Sequence, residues 1–323
     1  MMARPTAEMQ AVLDRLAVED AGLPDPTTLA PAAGRAQAAR ANRRWNRDLP
    51  ELAVEIVTIP GGAGQDMVCR LYRPESCGPG AVLHLHGGGF AFCDLDTHER
   101  ASRLLALSCG VPVLACDYRL APEHPYPAGL DDCRAAWRAL RDGRFDLGGP
   151  LAVAGDSAGA NLAVALMLAE AAEHHPLPDA GLLFYGVFGA DFSTPSYLGF
   201  ANGPGLTRNK MIRYWDWYAP PDLRRSPLVA PIEATDEQLL GLPPLYVTAA
   251  GIDPLRSEAE AFHARLTALG RGDLFRLHEG VVHGFMQMSL VLEEARTAFA
   301  EAGNAFRTLT RKRTTKEERE ENT

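Results

Sequence analysis

From residue 81 onwards, short apolar runs alternate with helical stretches, and this alternation constrains the fold more than any other feature of the sequence. The runs are apolar at almost every position, as expected of strands that are buried on both faces of a sheet. Parallel neighbours need a long crossover connection, and the intervening stretches are long enough to supply one as a helix. The pattern therefore predicts an α/β fold with a mostly parallel central sheet flanked by helices. The predicted strands are 81–86, 111–117, 151–154, 180–185, 245–249 and 274–278, and the predicted helices are 100–108, 130–141, 158–173, 257–269 and 285–308.

Residues 1–50 show helical patterning and no strand pattern. Met9, Val12, Leu13 and Leu16 recur at spacings of three and four, which places them on one face of an amphipathic helix. Prolines then interrupt the pattern, and a second helical stretch rich in Ala and Arg follows. This part of the chain is therefore predicted to form a helical cap segment outside the sheet.

The remaining chain is predicted to form one main domain over residues 51–310. It begins with a hairpin-like pair of strands at 52–59 and 67–72, separated by a Pro- and Gly-rich turn. Residues 190–240 interrupt the strand and helix rhythm with several Trp, Pro and Gly, which favours a cap or lid insertion. Residues 311–323 are almost all charged or polar and are predicted to be a flexible tail.

Composition narrows the partners of the chain. A net charge of −9 argues against nucleic acids and anionic membrane surfaces, because both need a basic face. The longest clean apolar run, 162–169, is too short to cross a bilayer, and no secretory signal pattern is visible near the N-terminus. The six cysteines form no C-x-x-C pair and no zinc-like spacing with histidine, so reduced thiols and no metal are expected. These observations predict a cytoplasmic protein without membrane insertion.

A Gly-Asp-Ser-Ala-Gly pattern at 155–159 joins a predicted strand to a predicted helix. A serine on so sharp a turn needs neighbours without bulk, and Gly155 and Gly159 meet that need two positions away on each side. The helix that follows directs its N–H groups and the positive end of its dipole towards the turn. This context is typical of a nucleophile elbow, with Ser157 as the nucleophile and Asp156 in a structural role. A Gly-rich turn with a capping serine is the alternative.

Three glycines follow the strand at 81–86, in the order His86-Gly-Gly-Gly-Phe90. Ester hydrolysis passes through a tetrahedral intermediate with a negatively charged oxygen, which backbone N–H groups must approach closely. Glycines permit that approach, and the H-G-G-G order matches the oxyanion loop of lipases and esterases. A phosphate-binding loop is the alternative, but no Gly-Lys-Ser or Gly-Lys-Thr follows. His86 is expected to brace the loop by hydrogen bonding.

An acid and a histidine that could serve Ser157 follow it in the chain, in the order expected after a nucleophile elbow. Asp253 comes just after one predicted strand, and His283 comes just after the next. Because parallel strands end at a common edge, both side chains can reach the serine. The alternative for Asp253 is to cap the following helix. His278, within a strand, and His263, within a helix, are expected to be packing residues.

Together these motifs resemble the hormone-sensitive-lipase family of bacterial carboxylesterases, known as bacterial family IV. The similarity runs in order from about residue 81 to residue 285 and includes the 117–128 stretch Asp-Tyr-Arg-Leu-Ala-Pro-Glu-His-Pro-Tyr-Pro-Ala. The resemblance implies an α/β-hydrolase fold with an eight-stranded sheet, an N-terminal helical cap with an insertion, and no cofactor. The X-Pro bonds Ala121–Pro122 and Tyr126–Pro127 are candidates for cis peptides.

The resemblance also assigns roles to individual residues. It implies that Ser157 is the nucleophile, that His283 is the general base and that Asp253 orients His283. It implies as oxyanion donors the backbone N–H groups of Gly88, Gly89 and Ala158.

The family prefers small-molecule esters with short to medium acyl chains. The resemblance therefore implies a serine carboxylesterase that works through an acyl-enzyme, and it is compatible with a homodimer. An amidase, a lactonase or a dehydratase on the same scaffold stays open, because the acyl-transfer machinery is shared. A non-catalytic receptor of this fold would lack the histidine that the chain has at position 283. The side chains expected to line the substrate pocket are Phe90, Trp215, Phe285 and Met288.

Overall fold

The structure of the protein, a computed structural model, describes residues 4–320, with side chains as far as residue 311. Within that part of the chain, eight strands form a single sheet. They are β1 (Ala53–Pro60), β2 (Asp66–Arg73), β3 (Ala81–Leu85), β4 (Val113–Cys116), β5 (Leu151–Asp156), β6 (Ala180–Phe184), β7 (Leu245–Ile252) and β8 (Leu274–Val282). Their spatial order is β1-β2-β4-β3-β5-β6-β7-β8.

Only the pairs β1–β2 and β2–β4 are antiparallel, and every other neighbouring pair is parallel. All residues of β3, β4, β6 and β7 are buried, because helices cover both faces of the sheet there. The edge strand β1 instead leaves five of its eight residues exposed. The predicted fold class, with its mostly parallel eight-stranded sheet, is confirmed.

The helices form two layers, one on each face of the sheet. Side chains alternate along each strand, so that Leu83 and Leu85 of β3 pack in one layer and Val82 packs in the other. The first layer contains α4, α5 and α9, and the second contains α3 and α10. The helices of the described chain are α1 (Ala7–Glu19), α2 (Pro31–Asn42), α3 (Glu99–Cys109), α4 (Ala128–Arg141), α5 (Ala158–Ala172), α6 (Pro195–Gly199), α7 (Arg208–Tyr218), α8 (Asp236–Leu240), α9 (Arg256–Ala268) and α10 (Glu293–Glu320).

The segments expected to form the cap and the insertion are helical. Residues 1–50 contain α1 and α2, and residues 190–240 contain α6, α7 and α8. The hydroxyl of Thr6 accepts the N–H of Met9 and so caps α1, while the backbone N–H of Thr6 donates to the Gly280 carbonyl of β8 at 2.9 Å. The first segment is thereby fastened to the edge of the sheet.

The C-terminal region differs from the single helix predicted at 285–308. A short 3₁₀ helix, Phe285–Met288, comes first, and α10 begins only at Glu293. Gly284 precedes the short helix with a left-handed φ of 75°, and the carboxylate of Glu8 accepts the N–H of Glu293 at 2.9 Å. Helix α10 continues to Glu320 and so includes most of the segment expected as a tail, while residues 321–323 lie outside the described residues.

Both X-Pro bonds proposed from the sequence are cis, and so is a third that the sequence analysis missed, Gly203–Pro204. The two predicted bonds lie between β4 and α4, in the 117–128 stretch that carries part of the family resemblance.

All six cysteines lie in the described part of the chain and none forms a disulfide. Cys77 is exposed in the loop between β2 and β3, Cys93 is half-buried, and the other four are buried. In the region that the structure covers, no helix is both long enough and apolar enough to cross a membrane.

Asp132 of α4 connects three parts of the fold. Its fully buried carboxylate accepts the N–H of Gly62 and the amide of Gln65, both at 2.8 Å, in the turn between β1 and β2. It also accepts the backbone N–H of Arg119 at 3.0 Å and its Nε at 2.8 Å. Burial alone would raise the pKa of the Asp132 carboxyl, but the hydrogen bonds from Arg119 and its other partners hold the pKa below its usual range.

We predict that Asp132→Ala lowers the free energy of unfolding by about 3 kcal/mol, because it leaves Arg119 and the turn N–H groups without their acceptor. Since the folded pKa is depressed, this stabilisation is present above the unfolded carboxyl pKa of about 4 and is lost as the pH falls further. Urea unfolding at pH 7 and at pH 3 measures both effects. Asp142→Ala, which removes an exposed ion pair with Arg141, is the control and should cost less than about 1 kcal/mol. Equal losses in the two variants would contradict the prediction.

Candidate active site

Ser157 occupies the turn between β5 and α5, with φ 54° and ψ −118°. This backbone region is strained for any residue with a side chain. A Cβ on Gly155 would lie 2.3 Å from the Gly159 carbonyl carbon, and a Cβ on Gly159 would lie 1.9 Å from the Leu85 oxygen. The turn is therefore packed so closely that only glycine fits at both flanking positions.

A chain of hydrogen bonds connects the three residues that the sequence analysis selected. Nε2 of His283 lies 2.9 Å from Oγ of Ser157, and Nδ1 of His283 lies 2.6 Å from Oδ2 of Asp253. Each residue directly follows a strand: Ser157 follows β5, Asp253 follows β7 and His283 follows β8. The parallel arrangement thus brings together residues that are up to 126 positions apart.

The protonation of His283 follows from its partners. A carboxylate can only accept hydrogen bonds, so Nδ1 of His283 carries the proton and Nε2 accepts the hydroxyl of Ser157. The second carboxylate oxygen of Asp253 accepts the N–H of Leu255 at 2.9 Å, in the turn before α9. Asp253 is fully buried, and the ring of Tyr185 packs edge-on against His283 with 5.1 Å between the ring centres. The imidazole is therefore fixed both by hydrogen bonds and by packing.

The loop after β3 presents unused donors beside this serine. Gly88 and Gly89 have φ values of 117° and 60°, which side-chain-bearing residues rarely adopt. Among the described residues, the N–H groups of Gly88, Gly89 and Ala158 have no backbone acceptor. Ala158 is the first residue of α5, so its N–H also points out of the helix. Free N–H groups in this position can bind a developing negative charge.

Asp156 contacts the oxyanion loop, and its partners differ from those of Asp253. Its Oδ1 accepts the N–H of Gly87 at 3.0 Å, and its Oδ2 lies 3.4 Å from Nε2 of His98. Burial alone would raise the pKa of the Asp156 carboxyl, but His98 and His84 outweigh it and hold the pKa well below its usual range. Asp156 therefore stays ionised and holds the loop against the strand that carries the nucleophile.

His86 has several contacts within the same loop. Its Nδ1 donates to the Gly87 carbonyl at 2.8 Å, and its ring stacks on Tyr118 with 4.3 Å between the ring centres. The hydroxyl of Tyr118 donates to the His86 carbonyl at 2.7 Å. Burial lowers the pKa of His86 to about 3, so the ring is neutral at neutral pH. These contacts suit the bracing role expected from the sequence.

The four residues expected to line a pocket all lie in packed side-chain clusters. Phe90 stacks on Tyr218 with 3.8 Å between the ring centres, and Trp215 lies against the same pair. Phe285 is fully buried, and Met288 is 8% exposed. All four are buried, and their part in a substrate pocket stays a prediction.

Sequence reasoning missed three side chains next to the site. Tyr214 of α7 lies so close to Gly89 that a Cβ there would be 2.3 Å from its ring. Tyr185 packs on His283, and His98 contacts Asp156. None of the three stands in a motif, and only the chain folding brings them to the serine.

One group of side chains in the described region has the spacing of a metal site: Glu170, Glu173 and His175. Arg134 donates to the carboxylate of Glu170 at 2.7 Å, and Arg138 donates to the carboxylate of Glu173 at 2.9 Å. The arginines already neutralise these carboxylates, which lie at the end of α5 that is remote from Ser157. Nothing in this arrangement connects a metal with the serine.

A serine, a histidine and an aspartate, hydrogen-bonded in that order at the carboxyl edge of a mostly parallel sheet, define the class of serine hydrolases.

Comparison with known proteins agrees with that class. Residues 82–287 match the model of a family described as having the alpha/beta hydrolase fold. Carboxylesterase NlhH of Mycobacterium tuberculosis is 37% identical over 258 residues, which cover 77% of this chain and 81% of that protein. A thermostable esterase from Pseudomonas putida superimposes with a TM-score of 0.88 at 30% identity, covering 95% of this chain and 98% of that one. An esterase from the archaeon Pyrobaculum calidifontis has a TM-score of 0.86, also at 30% identity, with coverages of 95% and 99%.

The chain belongs to the α/β-hydrolase-fold family, and it is a serine carboxylic ester hydrolase. The resemblance to the hormone-sensitive-lipase family that its motifs show is confirmed.

We predict that Gly159→Ala lowers the free energy of unfolding by about 2 kcal/mol, because its Cβ would force α5 away from β3. The displacement would also move the serine, so kcat/KM should fall by a factor on the order of 10². Urea unfolding and ester hydrolysis measure the two effects. The matched control is Gly199→Ala in α6, where a Cβ would meet no atom within 4 Å and stability should be unchanged or slightly higher. The close packing at Gly159 would be refuted if both variants behaved alike.

Proposed function

We propose that Ser157, His283 and Asp253 form the catalytic triad of this esterase, and that it acts on esters with short to medium acyl chains. The observation that carries the proposal is the continuous hydrogen-bond chain from Oγ of Ser157 through His283 to the buried Asp253. Its two distances, 2.9 Å and 2.6 Å, lie within the range in which a base can take a proton from a nucleophile.

Acylation begins when Nε2 of His283 takes the hydroxyl proton of Ser157. Oγ then forms a bond to the ester carbonyl carbon, and the carbonyl electron pair moves onto its oxygen. We propose the N–H groups of Gly88, Gly89 and Ala158 as donors to this oxyanion, since they have no backbone acceptor in the described chain. When the intermediate collapses, the bond to the alcohol oxygen breaks and His283 donates its proton to the departing alcohol.

Deacylation repeats these steps with water. His283 takes a proton from water, the resulting hydroxide attacks the acyl carbon, and Oγ of Ser157 leaves with the proton that His283 returns. The carboxylate of Asp253 stabilises the imidazolium that forms in both halves of the reaction. Both carboxylate oxygens of Asp253 are held, so its orientation does not have to change.

Two observations support short to medium acyl chains. Ser157 is only 6% exposed and the side chain of His283 is 13% exposed, so the space at the nucleophile is confined. A relative named acetyl esterase, from Salmonella, is 31% identical over 270 residues. The helices of residues 1–50 and 190–240 are proposed to close the site as a cap and a lid.

We also propose a cytoplasmic location, which the six cysteines without disulfides support. A homodimer, which the family resemblance allows, stays a prediction.

We predict that Ser157→Ala lowers kcat by a factor on the order of 10⁴ or more, because no other group can form the acyl-enzyme. Hydrolysis of p-nitrophenyl butyrate measures the loss, and a fluorophosphonate should label the wild type and fail to label the variant. Ser193→Ala removes an exposed hydroxyl that only contacts Asp191 and is the matched control, with unchanged kcat. Retention of esterase activity by Ser157→Ala would falsify the triad.

We predict that kcat/KM falls roughly 10-fold or more between p-nitrophenyl butyrate and p-nitrophenyl dodecanoate, because a confined site cannot bury the longer chain. A series of p-nitrophenyl esters from two to twelve acyl carbons, each kept below its micelle-forming concentration, measures the preference. A maximum at the longest chains would show that the confinement at Ser157 does not limit the acyl group.

A further inference from the structure

Arg35 of α2 extends from the N-terminal segment to the far side of the oxyanion loop. Its Nε donates to the Ala91 carbonyl at 2.7 Å, and its Nη2 donates to the Ala121 carbonyl at 2.8 Å. Ala91 and Ala121 are each only 1% exposed, so these carbonyls have little access to water. The same guanidinium binds both carboxylate oxygens of Glu123, with Nη1 at 3.0 Å from Oε1.

The two carbonyls belong to residues whose N–H groups hold the loop in place. The Gly88 carbonyl accepts the N–H of Ala91 at 3.2 Å and that of Phe92 at 2.9 Å, which closes the turn after the oxyanion glycines. The N–H of Ala121 donates to the Phe90 carbonyl at 2.9 Å, which ties the turn to the 117–128 stretch. Arg35 thus binds one carbonyl within the turn and one in the segment that supports it.

The residue before Arg35 packs against both the N-terminal segment and this turn. A Cβ on Gly34 would lie 2.3 Å from the Pro26 oxygen and 3.3 Å from the ring of Phe92. Glycine is therefore needed where α2 packs against Pro26, and the same part of the helix lies against the ring of Phe92 in the turn.

We propose that Arg35 is a positioning residue for ester hydrolysis. It holds the 88–92 turn in place through the Ala91 and Ala121 carbonyls, so that the N–H groups of Gly88 and Gly89 keep their direction when charge develops on the substrate oxygen. A displacement of α2 would thereby also displace the oxyanion loop. This inference rests on the oxyanion role proposed above for these glycines.

The chemistry of the contact requires arginine. A guanidinium offers five N–H donors in a fixed plane, which suits two carbonyls and a carboxylate at once, whereas a lysine offers one compact charge. The ion pair with Glu123 contributes less, because the Glu123 side chain is 47% exposed and surface pairs are weak. The two buried carbonyls therefore carry the positioning.

The test compares kcat and KM for p-nitrophenyl acetate in Arg35→Ala, Arg35→Lys and Glu123→Gln. We expect Arg35→Ala to lower kcat about 10-fold or more with KM within about twofold, because misplaced oxyanion donors weaken binding of the transition state more than binding of the ester. Arg35→Lys should recover only part of the loss, and ethylguanidinium added to Arg35→Ala should raise its kcat. Glu123→Gln should stay within about twofold of the wild type, because the carbonyl contacts remain.

Arg44→Ala is the matched control for a general loss of cap stability. Arg44 pairs with Glu19 and Asp20 inside the N-terminal segment and has no contact with the oxyanion loop. Its kcat should stay within about twofold of the wild type, and thermal unfolding of each variant verifies that it is folded.

Three results would overturn the proposal: an unchanged kcat in folded Arg35→Ala, a loss of kcat in Arg44→Ala as large as that in Arg35→Ala, or no response to ethylguanidinium. Its failure can be told apart from a failure of the triad. If Ser157→Ala is inactive and Arg35→Ala is fully active, only the positioning role of Arg35 is refuted. If Ser157→Ala keeps its activity, the proposed triad itself is refuted.

Discussion

The sharp turn at Ser157 is the constraint on which the rest of the site depends. Its positive φ is tolerated only because Gly155 and Gly159 let β5, α5 and β3 pack in direct contact. That contact places the first turn of α5 directly against the end of β3, where the loop with the three glycines begins. A bulkier residue at either glycine would displace α5, and the proposed oxyanion donors and His283 would then lose their alignment with Ser157 together.

The positions of the other two residues of the proposed triad depend on topology more than on local strain. Strands β7 and β8 are parallel to β5, so they end at the same edge and deliver Asp253 and His283 there. This is why sequence order and strand boundaries were enough to select both residues. Strands that are buried on both faces, such as β7, were predictable for a different reason. Their runs of apolar residues are stable only where helices cover both faces of the sheet.

Contacts between distant loops could not be predicted in this way. His98 contacts Asp156 across 58 positions, and Tyr214 reaches Gly89 from α7, yet no periodicity or motif connects either pair. Aromatic residues show the same limit of sequence patterns, because a large aromatic side chain is typical both of a pocket wall and of a packed core. Phe90 and Trp215 pack against Tyr218, and their part in a pocket wall stays a prediction. The interruption between the 3₁₀ helix and α10 was missed because the helical pattern of residues 285–308 runs across it.

The distribution of the thiols has a practical consequence. Cys77 is the exposed cysteine of the six, and burial raises the pKa of Cys93 to about 12, so that thiol stays protonated at neutral pH. The loop with Cys77 comes before the first residue of β3, whereas Ser157 comes after the last residue of the parallel strand β5. The two residues therefore lie at opposite ends of the parallel strands. A maleimide dye or a solid support attached at Cys77 would therefore leave the catalytic edge uncovered, and the molecule could be immobilised in a single orientation.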